Sequence, residues 1–226
     1  MRYEIFGDTL PAVTVHLGMG ESMYTQSGGM SWMTDQIQME TNMKGGLMKG
    51  LGRMMSGESL FMATYTAHGQ NQSITFASSF PGHILPIDLS GGFELICQKS
   101  AFLAAEPGVV LSASINKKLA GGFFGGEGFI MQHLAGQGTA FLEFDGSVQE
   151  MMLAPGEKLI VDTGNVAAYE ASIGYSAEMV KGFKNVLFGG EGLFLTTLTG
   201  PGKVYLQTMN LPEFAGRISA FFATGK

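Results

Sequence analysis

Charge is scarce in this chain. Of its 226 residues only 14% are charged, with 13 Lys plus Arg against 19 Asp plus Glu and a formal net charge of −6. Nucleic-acid binders neutralise phosphates with clustered cations. No such cluster is present, which argues against nucleic acid as a partner. Cysteine is reduced to Cys97, so no disulfide can form within the chain. It sits in the apolar segment Glu94-Leu95-Ile96-Cys97 and reads as a small buried hydrophobe rather than a nucleophile. No apolar run reaches the roughly 18 residues that a membrane-spanning helix needs. Met1 to Phe6 carries Arg2 and Glu4 and lacks the apolar core of a signal peptide. A cytoplasmic protein is expected. There is no nucleophile elbow, zinc-ligand spacing or dinucleotide fingerprint. The histidines His16, His68, His83 and His133 form no HxH or HxxxH pair. The sequence therefore nominates no catalytic residue, metal ligand or cofactor, and the protein is expected not to be an enzyme.

What the chain does contain is a repeat. One short signature occurs as Gly57-Glu58-Ser59-Leu60-Phe61, Gly126-Glu127-Gly128-Phe129-Ile130 and Gly190-Glu191-Gly192-Leu193-Phe194. The glutamates are 69 and 64 positions apart. A second landmark keeps the same register. Gly20-Glu21-Ser22-Met23, Gly92-Phe93-Glu94-Leu95 and Gly156-Glu157-Lys158-Leu159 have their glycines 72 and 64 positions apart. Self-similarity at a fixed spacing marks a unit built several times. The units run over 1–88, 89–154 and 155–210, followed by a tail at 211–226.

Each unit reads as short apolar strands separated by glycine-rich connections. Strands are predicted after the signature at Leu60–Thr66, Phe129–Ala135 and Leu193–Thr199. Turns follow at Gly136-Gln137-Gly138 and Gly200-Pro201-Gly202, with a looser one around His68 to Asn71. The chain then returns through Thr139–Phe144 and Lys203–Met209. Glycine supplies the positive φ of tight turns, so these segments are predicted to be hairpins, as is the pair flanking Asp145-Gly146. Short runs with little helical periodicity predict an all-β fold of three tandem β-sandwich or short double-stranded β-helix-like units. The exception is Leu211 to Phe222, where near-helical spacing of Leu211, Phe214, Ile218 and Phe221 predicts a short amphipathic helix. A unit of about 60 residues buries too little surface to be comfortable alone. Units in a row share cores and offer edge strands to a neighbour. With 45% hydrophobic residues, a homo-oligomer is expected.

Two groups of residues are candidates for function. Glu58, Glu127 and Glu191, each behind Gly57, Gly126 or Gly190, would form a carboxylate ring if they converged, and hard cations prefer such oxygen ligands. The competing reading is that each Glu accepts hydrogen bonds from its own turn. Repetition favours that structural role. The apolar pairs Leu47-Met48, Phe123-Phe124 and Leu187-Phe188 lie in the glycine-rich loops beside lysines and are candidate contacts for a membrane surface or a protein partner. Packing inside the protein or between subunits is the alternative. The 16 methionines, concentrated in the first unit, read as adaptable core filler.

The triplicated plan, the segment Gly45 to Phe61 and the run Phe80-Pro81-Gly82-His83-Ile84-Leu85-Pro86-Ile87 resemble the altered-inheritance-of-mitochondria-24 family. The resemblance spans nearly the whole chain. It implies units similar to the trp RNA-binding attenuation protein fold and trimers in which nine units close a ring. It supplies no catalytic residues. Likeness to an RNA-binding ring is not evidence of RNA binding. The expected role is a non-enzymatic, ring-forming scaffold or binding module. The alternatives are a small-molecule or metal-binding protein on a cupin-like β scaffold and a peripheral membrane-associated organiser.

Overall fold

A computed structural model describes residues 1–26, 28–42, 62–114, 131–179, 194–219 and 221–222. The described chain is mostly β, in four antiparallel sheets with one short helix at the C-terminal end. The first sheet has the order β1 (Arg2–Phe6), β2 (Ala12–Leu17), β7 (Gln72–Ala77), β4 (Met30–Met33). The second runs β5 (Ile37–Asn42), β6 (Met62–Ala67), β3 (Ser22–Gln26), β10 (Phe102–Ala105), β13 (Thr139–Asp145), β8 (Gly82–Asp88). The third runs β11 (Val109–Ser114), β12 (Met131–Gly136), β9 (Leu95–Gln98), β16 (Val166–Glu170), β19 (Gly202–Gln207), β14 (Val148–Leu153). The fourth is β15 (Lys158–Asp162), β18 (Phe194–Thr199), β17 (Gly174–Met179).

Alternation of buried and half-buried positions along β2, β6 and β19 fits strands that pack on a core. Three cores hold the sheets together. Val13, Val15, Ile74 and Phe76 of the first sheet meet Met23, Tyr65, Ala104 and Phe141 of the second. Ala105, Ala140 and Leu142 on the opposite face of the second sheet meet Leu95, Cys97, Leu134 and Ala168 of the third. Val166, Tyr169 and Val204 of the third meet Leu198 of the fourth, with Leu159 and Val161 packed alongside. The second and third sheets are thus buried on both faces over their middle strands, which explains their near-continuous apolar segments.

The tight turns do not make hairpins. Gly136 and Gly138 take φ of +104° and +118°, and Gly146 takes +73°, so the glycines serve the reversal for which the sequence reserved them. The arms of each turn nevertheless enter different sheets. β12 belongs to the third sheet and β13 to the second; β18 belongs to the fourth and β19 to the third; β13 and β14 are likewise separated. Turn chemistry specifies a reversal, whereas the partner is set by which faces must be buried. β13 needs cover on both sides, and it finds β10 and β8 as lateral neighbours. The strands that do pair as chain neighbours are β1 with β2, across a short segment, and β5 with β6, β11 with β12 and β17 with β18, across the longer glycine-rich connections.

The C-terminal helix, α1, spans Leu211–Ser219, shorter than the 211–222 expected. Its start is anchored by Asn210, whose side chain accepts from the Glu213 N–H at 3.4 Å. Arg217 and Glu213 pair one turn apart at 2.6 Å. Phe214 meets Phe80 edge-on, with ring centroids 5.7 Å apart.

Candidate functional site: turns, polar clusters and free sheet edges

The signature residues Gly57, Glu58, Gly126, Glu127, Gly190 and Glu191 lie outside the described residues, as do Leu47, Met48, Phe123, Phe124, Leu187 and Phe188. In sequence they all belong to the connections between β5 and β6, β11 and β12, and β17 and β18. The second landmark is described, and it shows what a Gly-Glu turn can do. Glu21 Oε2 accepts the Gly18 N–H at 2.7 Å, and Glu157 Oε2 accepts the Ala154 N–H at 2.8 Å. Each carboxylate closes its own four-residue turn, and in each the Glu N–H also bonds back, at 3.0 Å, to the carbonyl of the same residue. These glutamates are structural.

Other polar groups are similarly engaged. Glu143 Oε2 accepts from Ser78 Oγ at 2.7 Å and from the Ser79 N–H at 3.1 Å. Desolvation at this half-buried position outweighs those bonds and raises the Glu143 carboxyl above its ordinary range. The pairing recurs one unit on, where the Gln207 side chain accepts the Asp145 N–H at 3.2 Å. Neither was legible in the sequence, because the partners are more than 60 positions apart. His133 Nε2 lies 3.1 Å from Glu94 Oε2 at the surface, on the half-exposed strand position that Thr64 and Thr197 fill in the other units. Cys97 is fully buried, and burial pushes its thiol up to about 12, so it has neither the access nor the acidity of a nucleophile. Among the described residues no three His, Cys, Asp or Glu side chains are placed to share a metal ion. A half-open cleft of about 250 Å³ is lined by Met1, Leu17, Gly20, Glu21, Ser22, Glu106 and Pro107. Its two carboxylates are spent on backbone N–H groups, Glu21 as above and Glu106 on Thr139 at 2.6 Å.

The most unusual feature is at the edges of the stack. Strand pairing repeats along the chain. β10 and β16 carry a bulge at the same place, between Phe102 and Ala104 and between Val166 and Ala168, and β4 carries it between Met30 and Trp32. β3 joins β10 through Tyr24 and Ala105. β9 joins β16 through Ile96 and Tyr169. These two junctions fuse three-stranded halves into the six-stranded second and third sheets. β15 is the counterpart of β3 and β9, and β4 the counterpart of β10 and β16. Among the described residues both end their sheets without that neighbour.

Exposure follows. Ile160 on β15 is 67% exposed, whereas Tyr24 at the same place on β3 is 9% exposed. Trp32 on β4 is 55% exposed, whereas Ala104 and Ala168 at the same place are 0%. Sequence reasoning missed these residues because the exposure of one copy of a repeat is a property of its position in the stack.

A family model matches residues 3–209, and it is that of mitochondrial biogenesis AIM24. The chain belongs to this family. An uncharacterised protein of Streptococcus pyogenes serotype M6 is 30% identical over 223 residues, covering 95% of this chain and 88% of that protein. The crystal structure of a Streptococcus pyogenes protein superposes with a TM-score of 0.79 at 27% identity, covering 97% of this chain and 99% of that one. These AIM24 relatives carry no stated activity, and the fold they share is the one described above. Among the described residues, no helix is long and apolar enough to cross a membrane.

Proposed function

We propose that this AIM24-family chain is a non-enzymatic scaffold or binding module that works as a closed homo-oligomeric ring in the cytoplasm. The observation that carries the reading is the unfinished state of the two outer sheets. Among the described residues the inner sheets have six strands, while the outer ones have four and three. Free edges invite pairing, and proteins that stay monomeric blunt them with charge, proline or cover. Here β15 presents Ile160 and β4 presents Trp32. Surfaces that differ between the two ends of one chain associate head to tail and form a ring when the rotation closes.

Three tandem units related to the trp RNA-binding attenuation protein and the double-stranded β-helix fit the recurring strand pairs. Three copies per ring is the number that the family resemblance implies. Such a ring would present the connections between β5 and β6, β11 and β12, and β17 and β18 nine times over. Repetition raises avidity for a partner or surface that each loop holds weakly. Size-exclusion chromatography with light scattering tests the reading. The expected mass is three times the 24.0 kDa chain. A stable monomer at micromolar concentration contradicts it.

A further inference from the structure

We infer that β15 of one copy pairs antiparallel with β4 of the next, in a register set by the two junctions inside the chain. The proposal rests on the oligomeric reading above and goes further, because it names the strands, the direction and the residue pairs. Inside the chain, β9 and β16 pair as Cys97 with Ala168, Ile96 with Tyr169 and Leu95 with Glu170. Tyr24 with Ala105 is the same pair one unit earlier. β15 is matched to β9 by its ladder to β18. Ile160 faces Thr197 as Ile96 faces His133, and Leu159 faces Leu198 as Leu95 faces Leu134. β4 is matched to β16 by its ladder to β7. Trp32 faces Thr75 as Ala168 faces Tyr205, and Met33 faces Ile74 as Tyr169 faces Val204. Carrying the internal register outward pairs Val161 with Trp32 of the next copy, Ile160 with Met33, and Leu159 with Thr34.

The cores make the same demand. The first two cores each draw on three groups of strands. β10 and β13 bring Leu103, Ala104 and Phe141 to one, and β16 and β19 bring Ala167, Ala168 and Tyr205 to the other. The third core holds Met131, Leu153, Val166, Tyr169 and Val204 of the third sheet and Leu198 of the fourth, and among the described residues no strands stand in it where β10 and β13, or β16 and β19, stand in the other two. The missing group is the one that β4 and β7 of the next copy would supply. Its leading side chain is Trp32, standing where the internal junctions have alanine and already in tilted contact with Phe6 at 6.4 Å. A ring that desolvates Trp32 buries one of the largest apolar side chains available, and aromatic anchors of this kind dominate interface energetics. The match is heterologous, edge to a different edge, so two copies cannot satisfy each other by a two-fold axis.

Cysteine cross-linking reads both pairing and register. Directly opposed cross-strand residues approach to the separation a disulfide spans. The native Cys97 is fully buried and leaves the background clean. The double variant Met33→Cys with Ile160→Cys, mildly oxidised as the full chain, should give covalent multimers on a non-reducing denaturing gel. Each single variant should give none. The pair Trp32→Cys with Ile160→Cys is slipped by one residue, which turns the side chains to opposite faces, and should also give none. Efficient bridging by Ile160→Cys alone would mean a two-fold contact and would overturn the proposal. An oligomer by light scattering with no bond in the double variant would overturn the register and leave the oligomeric reading standing. A wild-type monomer would overturn both. Ile160→Arg, at an exposed position of the single chain, should keep the far-ultraviolet circular dichroism and lose the multimer. Unchanged assembly of this variant would also overturn the proposal.

Discussion

Ile96 and Ile160 occupy the same place in two strands of the same design, and they meet opposite fates. Ile96 faces His133 on one side and Tyr169 on the other, within a six-stranded sheet. Ile160 faces Thr197 on one side and, at 67% exposure, solvent on the other. The difference comes from position, since β9 has β16 beside it, whereas β15 has no such neighbour among the described residues. A repeat that joins its units by pairing β3 with β10 and β9 with β16 leaves two strands of that junction type, β4 and β15, without the corresponding partner among the described residues.

The comparison breaks most sharply in the interior. Phe141 is fully buried where the first two sheets meet the second unit, with Tyr3 packed edge-on at 5.1 Å. Phe141→Ala should cost about 3–5 kcal/mol in urea unfolding, the range for a large aromatic removed from a core. Ile160→Ala should change the unfolding free energy of the dissociated chain by less than about 0.5 kcal/mol, the scale of an exposed substitution. In the assembled protein the same change should lower the melting temperature in a concentration-dependent way. Equal losses from Phe141→Ala and Ile160→Ala in the monomer would erase the contrast between inner and outer strands.

A smaller effect concerns the junction of β7 with β13. Burial raises the Glu143 carboxyl, so the folded state binds its proton more tightly than the unfolded chain does. Its contribution is fully present below the unfolded carboxyl's range and is lost as pH rises through the folded value. Glu143→Gln should therefore flatten the stability profile between the ordinary carboxylate range and neutral pH, and should help more at pH 7 than at pH 4. Denaturant titrations at the two pH values check the sign. The smallest effect belongs to the surface. Lys203 and Glu150 pair at 3.1 Å with both side chains well exposed. Lys203→Met should move stability by no more than about 0.5 kcal/mol, and less in high salt.

The sequence disclosed the all-β class, the buried Cys97 and the C-terminal helix, because each depends on local composition and spacing. It disclosed the turns at Gly136, Gly138 and Gly146 for the same reason. It misassigned the strands on either side of them, because a positive φ reverses the chain without saying whether the arms lie side by side or face to face. The roles of Ser78, Glu143 and Gln207 were invisible, since their contacts join residues from successive units. The repeated Gly-Glu signature drew attention to residues beyond those described, while the most informative departures from the repeat, Trp32 and Ile160, look unremarkable in a linear reading. Their meaning comes from comparison with Ala104, Ala168, Tyr24 and Ile96, which requires the strand register.

Amide hydrogen exchange of the assembled wild-type protein compares the inner and outer strands most directly. β15 is bonded to β18 on one side, so half of its amides point to the edge in question. If β15 is paired with β4 of the next copy, those edge-facing amides in Lys158–Asp162 exchange as slowly as the amides of Leu95–Gln98 in β9. If they exchange at the rate of an open edge while β9 stays protected, the edges are free and the account is wrong.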